Sequence, residues 1–455
     1  MKRWFGTDGI RGRFGREPIT PEFMTRLGRA VAAHCVAGGC GVPPRVVVGR
    51  DTRRSGSELE PALAAGLSAG GAAVSLLGVL PTPAIAWYSG EVGAALGIAI
   101  TASHNPAGDN GIKLMLPGGG KLDDGCQVAI EAAIATPPPA SGAPETAAWA
   151  RCDDAAARYI AHCLALSPAA PSLAALKIAV DGANGACFAV APAVLGALGA
   201  DLVTLHTTPD GDNINAGCGS TSPESLRQAV LDHGCDLGIA FDGDGDRLLL
   251  VDHQGTVLDG DDLLFILAGD RQRRGILGGG VVATIMSNYG LEQALTEHGI
   301  EFVRTPVGDH YVREALVARG WLLGGEASGH LFCLDRAPTG DALIAALEIL
   351  AIVSAGGRPL AEVRRGWQRY PQKMINVPLA ARLRRDPLDL PQVRGLVTAA
   401  QAELNGLGRI ILRPSGTEPV LRITVEGTDR RIVDALATRL ATEVPACLSQ
   451  GSADG

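Results

Sequence analysis

Short apolar runs alternate with longer stretches rich in Ala and Leu along most of the chain. The runs RVVVGRD (45–51), LKIAVDGANG (176–185), DLGIAFDGDGDRLLLVD (236–252) and VVATIMSNYG (281–290) are each followed by such a stretch. Short apolar runs predict buried strands, and the Ala- and Leu-rich stretches predict helices. This alternation is typical of α/β units around mostly parallel sheets, whose ligand-binding loops lie at the carboxyl ends of the strands.

The pattern changes after a break near 367–374, where two strand-like runs and one helical run predict a smaller α+β unit. Softer breaks lie at the Pro-rich stretch 135–144 and near 251–261. A chain of 455 residues has room for three or four domains. We therefore predict three doubly wound mixed α/β domains, followed by a smaller C-terminal α+β domain. The predicted bounds are 1–152, 153–252, 253–370 and 371–455.

Composition and charge exclude several classes of protein. Apolar residues make up 46% of the chain and aromatic residues only 4%, which predicts an aliphatic core. A net charge of −8 argues against general affinity for nucleic acid or anionic membranes. The ten cysteines form no C-x-x-C pair and are interpreted as buried free thiols. With no signal-like start and no long apolar run, we expect a cytoplasmic protein.

The stretch FDGDGDR (241–247) is the strongest chemical signal. Asp242, Asp244 and Asp246 alternate with glycines directly after a predicted strand. Three clustered carboxylates repel one another unless a cation neutralises them, and oxygen ligands suit Mg²⁺ or Ca²⁺. An EF-hand is excluded because its twelfth position would be His253 instead of Glu. The alternative is a solvated Asp- and Gly-rich turn.

Three further stretches carry weaker signals. RPSGTEPVLR (413–422) places a Ser-Gly-Thr turn between Arg413 and Arg422, a pattern that favours phosphate binding over an ordinary hairpin. GGEASGH (324–330) offers Glu326 and Ser328 to sugar hydroxyls, with His330 as a proton donor or phosphate contact. FGTDGIRG (5–12) places Arg11 in a Gly-rich turn.

The stretch GIAITASHNPAGDNGIKLM (97–115) places Ser103 where an apolar strand breaks into a turn. Ser103 could cap a helix, act as a hydrolase nucleophile or carry a phosphoryl group. A hydrolase nucleophile would need a base and an orienting acid, and no G-x-S-x-G surrounds it. The metal and phosphate signals elsewhere favour the carrier, with His104 and Lys113 as acid/base and cation candidates.

Taken together, TASHNP, DGDGDR, GEASGH and RPSGTEP resemble the α-D-phosphohexomutase family. They stand in the order of that family, one in each predicted domain, and span almost the whole chain. FGTDGIRG and VGDHYVREA (307–315) most resemble its bacterial phosphoglucosamine mutase branch. The resemblance implies four domains around a central cleft. Ala327 and His310 differ from the residues that are usual at these positions in that branch, which leaves the sugar specificity open.

The resemblance also implies a role for each candidate residue. Ser103 is expected to be a phosphoserine whose phosphate, together with Asp242, Asp244 and Asp246, holds one Mg²⁺. Arg247 is expected near that phosphate, Lys113, His104 and His330 are acid/base candidates, and Arg11 is a cleft residue. Sugar hydroxyls would meet Glu326 and Ser328. The non-reacting phosphate would meet Arg413, Ser415, Gly416, Thr417 and Arg422.

The function implied by the resemblance is the interconversion of glucosamine 6-phosphate and glucosamine 1-phosphate. The reaction would pass through a 1,6-bisphosphate, with a hexosamine or hexose 1,6-bisphosphate as activator, and would feed UDP-N-acetylglucosamine and cell-wall precursor synthesis. The alternatives are a phosphomannomutase/phosphoglucomutase, a Mg²⁺-dependent sugar phosphatase and a sugar-phosphate-binding protein without turnover. The expected partners are small sugar phosphates and no nucleic acid or membrane, with the chain as a monomer or homodimer.

Overall fold

The computed structural model describes residues 3–6, 8–39, 41, 43–135, 149–166, 173–379, 386–414 and 419–451. They divide into two compact units. The first comprises the described residues of Met1–Met286 and Ile300–Arg365, and the second those of Ser287–Gly299 and Gly366–Gly455. Apart from Ala135, the predicted linker at 135–144 lies outside the described residues.

A seven-stranded mixed sheet opens the first unit. Its strands are β1 (Phe5–Gly6), β2 (Gly9–Arg13), β3 (Arg45–Arg50), β4 (Ala73–Val79), β5 (Leu96–Ile100), β6 (Asp109–Met115) and β7 (Trp149–Arg151). They lie in the order β1-β2-β6-β5-β3-β4-β7. β3 pairs in parallel with β4 and β5, and β6 is antiparallel to β5. The helices of this part are α1 (Pro21–Ala37), α2 (Gly56–Ala69), α3 (Thr82–Glu91) and α4 (Asp124–Ala135).

A five-stranded sheet follows along the chain. Its strands are β8 (Lys177–Asp181), β9 (Asp201–Leu205), β10 (Leu237–Phe241), β11 (Leu248–Asp252) and β12 (Val257–Leu258), in the order β12-β11-β10-β8-β9. The accompanying helices are α5 (Ala155–Ala165), α6 (Val190–Ala197) and α7 (Glu224–His233), and a 3₁₀ turn spans Leu173–Ala175. Because β12 pairs with β11, this sheet extends past the predicted boundary at 252, and the domain bounds stay a prediction.

The third sheet has four strands, β13 (Val281–Thr284), β14 (Phe302–Thr305), β15 (Leu323–Gly325) and β16 (Leu331–Cys333), in the order β14-β13-β15-β16. The helices along this part of the chain are α8 (Gly260–Arg273), α9 (Tyr289–Glu297), α10 (Asp309–Arg319), α11 (Ala342–Gly356) and α12 (Leu360–Val363). Of these, α9 belongs to the second unit, which the pattern of the sequence does not indicate.

The second unit contains an antiparallel sheet. Its strands β17 (Gln372–Pro378), β18 (Gly408–Pro414) and β19 (Val420–Gly427) lie in the order β17-β19-β18. Besides α9, it contains α13 (Pro391–Glu403), α14 (Arg430–Gly451) and a 3₁₀ turn at Pro387–Asp389. Three mixed α/β sheets and a smaller α+β unit confirm the predicted fold class.

The three sheets of the first unit repeat one topology. Four strands in each, β3–β6, β8–β11 and β13–β16, take the spatial order second, first, third, fourth, and only the fourth is antiparallel to its neighbour. The last two strands of each set are therefore joined by a hairpin loop. These loops are residues 101–108, 242–247 and 326–330, which contain three of the predicted motifs.

The core is aliphatic, as the composition predicts. Every residue of β5 and β10 is buried, as expected for strands covered on both faces of a sheet. The nine described cysteines are free, and six of them are buried. Within the described part of the chain, no helix has the length and apolar character needed to cross a membrane.

Helices α1 and α2 pack with their backbones in close approach. A Cβ placed on Gly66 of α2 would lie 2.2 Å from the carbonyl oxygen of Thr25 in α1. That atom is backbone and cannot move aside without shifting a helix. In contrast, a Cβ on Gly269 of α8 would meet nothing within 4 Å.

We predict that the same substitution has opposite effects at these two positions. Gly66→Ala should destabilise the first unit by about 1–3 kcal/mol or more, because the helices must separate. Gly269→Ala should be neutral or stabilising by up to about 1 kcal/mol, because alanine restricts the unfolded chain. Thermal denaturation of both variants checks the prediction, and an unchanged melting temperature for Gly66→Ala would contradict it.

Candidate active site

Ser103 lies in the β5–β6 loop, almost fully buried, with its backbone in the left-handed region at φ 51°. Its backbone N–H donates to Thr101 Oγ1 at 2.9 Å, and its hydroxyl donates to Asp242 Oδ2 at 2.8 Å. The two residues of that second bond are 139 positions apart in the chain. The structure thus brings the predicted phosphate carrier to the predicted metal loop.

The β10–β11 loop turns three carboxylates inward. Asp242, Asp244 and Asp246 are all buried, and one oxygen of each lies within 4.8 Å of the others. Gly243 allows this loop to pass close to Ser103, because a Cβ there would lie 2.5 Å from the Ser103 carbonyl oxygen. The loop is held internally by Asp242 Oδ1, which accepts from the N–H groups of Asp246 at 3.1 Å and Arg247 at 3.2 Å.

Lys113, on β6, neutralises part of this acidic cluster. Its ammonium donates to Asp244 Oδ2 at 2.7 Å and to Asp246 Oδ2 at 2.9 Å. Burial would lower the pKa of Lys113, but the two carboxylates outweigh it and raise that pKa well above its ordinary value. Thr82, at the start of α3, supports the same carboxylate by donating from Oγ1 to Asp244 Oδ2 at 2.6 Å.

The loop carboxylates differ in their affinity for protons. Burial and the neighbouring charges of Asp246 and Asp244 raise the pKa of Asp242 well above its usual range. Burial acts in the same direction on Asp246, but Lys113 and His330 outweigh it and hold the pKa of Asp246 well below that range. Asp246 therefore holds its negative charge more readily than Asp242 does.

The donor set fits a hard divalent cation. Asp244 Oδ1 and Asp246 Oδ1 are buried and find no hydrogen-bond partner within the described ranges. A buried carboxylate oxygen without a donor is costly in free energy unless a cation satisfies it. Three converging carboxylates without nitrogen or sulfur suit Mg²⁺ or Ca²⁺ better than zinc. The cluster can therefore bind a metal ion.

Two histidines flank the carboxylate cluster, and their pKa values are shifted in opposite directions. His104 Nδ1 lies 3.2 Å from Ser103 Oγ, and burial, with the charges of Arg247 and Arg11, lowers the pKa of His104 to about 4. His330 Nδ1 lies 3.7 Å from Asp246 Oδ1. Burial would lower the pKa of His330, but Asp246 outweighs it and raises that pKa to about 9. At neutral pH, His104 is therefore neutral and His330 is charged.

A chain of alternating charges continues from Lys113. Its ammonium lies 3.4 Å from Asp8, which also pairs with Arg11 and, at 2.8 Å, with Lys121. Lys121 in turn pairs with Asp309, at the first position of α10, at 2.6 Å. Lys121 and Asp309 also line an adjoining cavity of about 640 Å³. A cavity of this size is within the range of small-ligand sites.

The β15–β16 loop supplies the predicted sugar-recognition residues. Glu326 is partly buried, and its Oε1 accepts from the Gly308 N–H at 3.2 Å. Ser328 is exposed and Ala327 is partly buried. Burial raises the pKa of Glu326. Arg247 lies on the Asp246 side, with its Nε 4.0 Å from Asp246 Oδ1.

The predicted phosphate-binding residues belong to the second unit. Arg413 and Arg422 face each other across β18 and β19 as register partners, and both are partly buried. Burial and the neighbouring charge of Arg422 lower the pKa of Arg413. Paired, partly buried arginines are suited to an anion. Ser415, Gly416 and Thr417 lie outside the described residues.

Several residues that the motifs did not single out complete the site. Arg53, Thr82 and Asn215 contact the Ser103 and Asp244 loops. Asp8, Lys121 and Asp309 form the extended charge chain. Arg53 had a signal, because GRDTRRSG follows a buried strand where binding loops are expected. Lys121 and Asn215 lie in stretches with no such pattern.

Comparisons with known proteins agree over almost the full length. The chain matches four phosphoglucomutase/phosphomannomutase family models in order, namely α/β/α domain I over 2–139, domain II over 157–255, domain III over 259–370 and the C-terminal domain over 374–443. It is 51% identical to the phosphoglucosamine mutase of Thioalkalivibrio sulfidiphilus over 444 residues, covering 97% of this chain and 98% of that protein. It is 49% identical to the phosphoglucosamine mutase of Methylobacillus flagellatus over 450 residues, with 97% and 98% covered.

A solved structure matches the fold of this chain over almost its whole length. The crystal structure of a phosphoglucomutase/phosphomannomutase family protein from Burkholderia thailandensis superimposes with a TM-score of 0.80. It is 26% identical, and the match covers 98% of each chain. The order of the four domains is therefore that of this group of proteins.

We predict that His330 keeps its proton to about pH 9 in protein without added metal, because Asp246 stabilises the charged ring. This pKa is raised above its ordinary value of 6.5. The stabilisation of the fold by charged His330 is therefore fully present below pH 6.5 and is lost as the pH rises through about 9. Imidazole NMR titration, assigned with His330→Gln, measures the pKa. Asp246→Asn should lower it, and a pKa near 6.5 in the native protein would contradict the assignment.

Proposed function

The chain belongs to the α-D-phosphohexomutase family, and from this premise we propose that it interconverts glucosamine 6-phosphate and glucosamine 1-phosphate. The chain is an enzyme, an isomerase that moves a phosphoryl group within a sugar phosphate. The glucosamine assignment is supported by identities of 51% and 49% with phosphoglucosamine mutases over almost the whole length. The observation that carries the chemistry is the hydroxyl of Ser103, 2.8 Å from Asp242 at the buried carboxylate cluster.

We propose that Ser103 is the phosphoryl carrier. When the phosphoserine donates, its Oγ–P bond breaks and a bond forms between phosphorus and the oxygen of the free sugar hydroxyl. That hydroxyl loses its proton, and Ser103 Oγ takes one up. The product is a 1,6-bisphosphate. The bisphosphate then reorients in the site, and Ser103 Oγ loses its proton as it accepts the other phosphoryl group. The bond between phosphorus and that sugar oxygen breaks, and the sugar oxygen regains a proton. Burial of Ser103 limits the access of water to the phosphoserine before the first step and after the second.

The proton must pass through nearby side chains. Lys113, His104 and His330 are the proposed acid/base groups. Neutral His104, 3.2 Å from Ser103 Oγ, can accept a proton. Charged His330 can donate one, and its Nε2 is buried without a hydrogen-bond partner among the residues described. The opposite pKa shifts of the two histidines suit a reaction that takes up and releases a proton.

Mg²⁺ is the proposed cofactor, held by Asp242, Asp244, Asp246 and the phosphate on Ser103. When bound, such an ion neutralises charge on the transferring phosphoryl group. Lys113 and Arg247 add positive charge beside the same carboxylates. We infer that Arg247 reaches the phosphate from the more solvent-exposed side, because its side chain is 23% exposed whereas that of Lys113 is 6% exposed.

The remaining residues are proposed to hold the rest of the substrate. Glu326 and Ser328 would bind sugar hydroxyls, and Arg11 would line the cleft. The non-reacting phosphate would be held by Arg413, Ser415, Gly416, Thr417 and Arg422. A hexosamine or hexose 1,6-bisphosphate is the proposed activator, because it phosphorylates Ser103 directly. A cytoplasmic location, a monomer or homodimer and no affinity for nucleic acid stay predictions.

We predict that purified protein prefers glucosamine phosphates. Its kcat/KM for glucosamine 1-phosphate and 6-phosphate should exceed those for the glucose and mannose phosphates. Isomer formation should be stimulated by glucose 1,6-bisphosphate, because that compound loads the carrier. Coupled assays with all six sugar phosphates measure the ratio, and a higher kcat/KM for mannose or glucose phosphates would contradict the glucosamine assignment.

Ser103→Ala is the control for the chemistry. The variant should lose at least about three orders of magnitude in kcat, since no other group can donate the phosphoryl in the first step and accept it in the second. Inorganic phosphate is measured in the same reactions. Release that keeps pace with substrate consumption would identify a phosphatase, and native turnover by Ser103→Ala would exclude the phosphoserine mechanism.

We also predict that Asp244→Asn weakens the dependence on Mg²⁺ and the activity together, because one of three ligand carboxylates is lost. The Mg²⁺ concentration for half-maximal activity should rise about tenfold or more. Magnesium titrations of activity and of the melting temperature provide the measurement, with the exposed Asp232→Asn as a matched control. A magnesium titration identical to that of the native protein would argue against this metal loop.

A further inference from the structure

We propose that Arg53 is a positioning residue for phosphoryl transfer, which clamps the backbone of the Ser103 loop. This inference rests on the proposed role of Ser103 as phosphoryl carrier. Arg53 follows β3, and its side chain is completely buried, with 0% exposure. A guanidinium has five N–H groups, and all of them are used here.

The N–H groups of the Arg53 guanidinium donate to the Asp51 carboxylate and to four backbone carbonyls. Nε donates to Asp51 Oδ2 at 2.8 Å. Nη2 donates to the carbonyl oxygens of Ser103 at 2.9 Å and Asn105 at 2.8 Å. Nη1 donates to those of Asp109, at 2.9 Å, and Pro106. One side chain therefore gathers the carbonyls of the loop that carries Ser103.

Only arginine can make this set of contacts. Each of the two terminal nitrogens of the planar guanidinium donates to two of the four carbonyls. A lysine ammonium has three donors on a single atom and cannot span the loop. Arg53 is in turn fixed by Asp51, whose Oδ1 accepts from the Arg53 backbone N–H at 3.0 Å.

Asp51 also fixes the backbone N–H of Ser103, through the hydroxyl of Thr101. Its Oδ2 accepts from Thr101 Oγ1 at 2.7 Å, and that hydroxyl oxygen accepts from the N–H of Ser103 at 2.9 Å. The backbone N–H and carbonyl of Ser103 are thus tied to one buried ion pair. Ser103 is held in this way at φ 51°, a conformation that few serines adopt.

Asn215 completes the clamp from the loop after β9. Its Nδ2 donates to the same two carbonyls as Arg53 Nη2, to Ser103 at 2.9 Å and to Asn105 at 3.1 Å. Asn215 itself has φ 58°. The two donors arrive from different sheets of the first unit, so the position of the loop is defined relative to both.

The clamp acts on orientation and not on binding. Within the described residues, the Arg53 guanidinium donates its hydrogen bonds to the Asp51 carboxylate and to backbone carbonyls. Phosphoryl transfer requires Ser103 Oγ to keep its place beside Asp242, and misplacement by about 1 Å can reduce a rate about 100-fold. Loss of Arg53 should therefore reduce the transfer rate while leaving substrate affinity largely intact.

The test compares Arg53→Lys and Arg53→Ala with Arg54→Ala. Arg54 is the next residue, also ion-paired, but its side chain is 65% exposed and pairs with Asp212. Single-turnover phosphorylation of Ser103 by glucose 1,6-bisphosphate is followed by intact mass, alongside kcat, KM and the melting temperature. Both Arg53 variants should lose about 100-fold in phosphorylation rate and kcat, with KM changed less than about threefold. Arg54→Ala should match the native protein.

Asn215→Gly keeps the inference testable if both Arg53 variants fail to fold. Glycine adopts the left-handed conformation without strain, so only the two donated bonds are lost. Its phosphorylation rate should fall about tenfold. Folded Arg53 variants that phosphorylate Ser103 at the native rate, or an Asn215→Gly variant that does so when they do not fold, would overturn the proposal. An absence of phosphoserine in the native protein would instead overturn the proposed function.

Discussion

Three buried carboxylates repel one another at the centre of the site, and the first unit must fold so that this repulsion is offset. Asp242, Asp244 and Asp246 are held within 4.8 Å of one another in a place that water hardly reaches. Such a cluster is stable only where positive charge is supplied. Lys113 supplies it from β6, in a different sheet, so folding of the first unit must bring the β5–β6 and β10–β11 hairpins together.

The repeated topology makes that meeting possible. Each mixed sheet ends its parallel run with one antiparallel strand, and the loop before that strand leaves the sheet at the carboxyl end of a parallel strand. This is the edge where α/β sheets bind ligands. The first of these loops carries Ser103, the second carries the three carboxylates, and the third carries Glu326 and His330. One repeated topology therefore presents the proposed phosphoryl carrier, the proposed cation site and the proposed sugar contact.

The chain departs from relaxed backbone geometry around Ser103. Ser103 adopts a left-handed backbone conformation, and Gly243 leaves no room for a side chain beside its carbonyl. The Asp51–Arg53 ion pair is buried, which is costly unless every donor is satisfied, and here every donor is. A fully buried ion pair thus lies beneath Ser103, where a fixed orientation matters for the proposed group transfer.

The α/β alternation, the smaller C-terminal unit and the motif loops can be predicted from the sequence, because periodicity and turn residues are local signals. The sequence also indicates that three aspartates spaced by glycines need a cation. It does not reveal that Thr82 and Lys113 share Asp244, that Lys121 links Asp8 to Asp309, or that α9 groups with the C-terminal unit. The clamp of Arg53 and Asn215 belongs with these. Each is a contact between segments far apart in the chain, and such contacts depend on how sheets and loops pack, which leaves no periodic trace in the sequence.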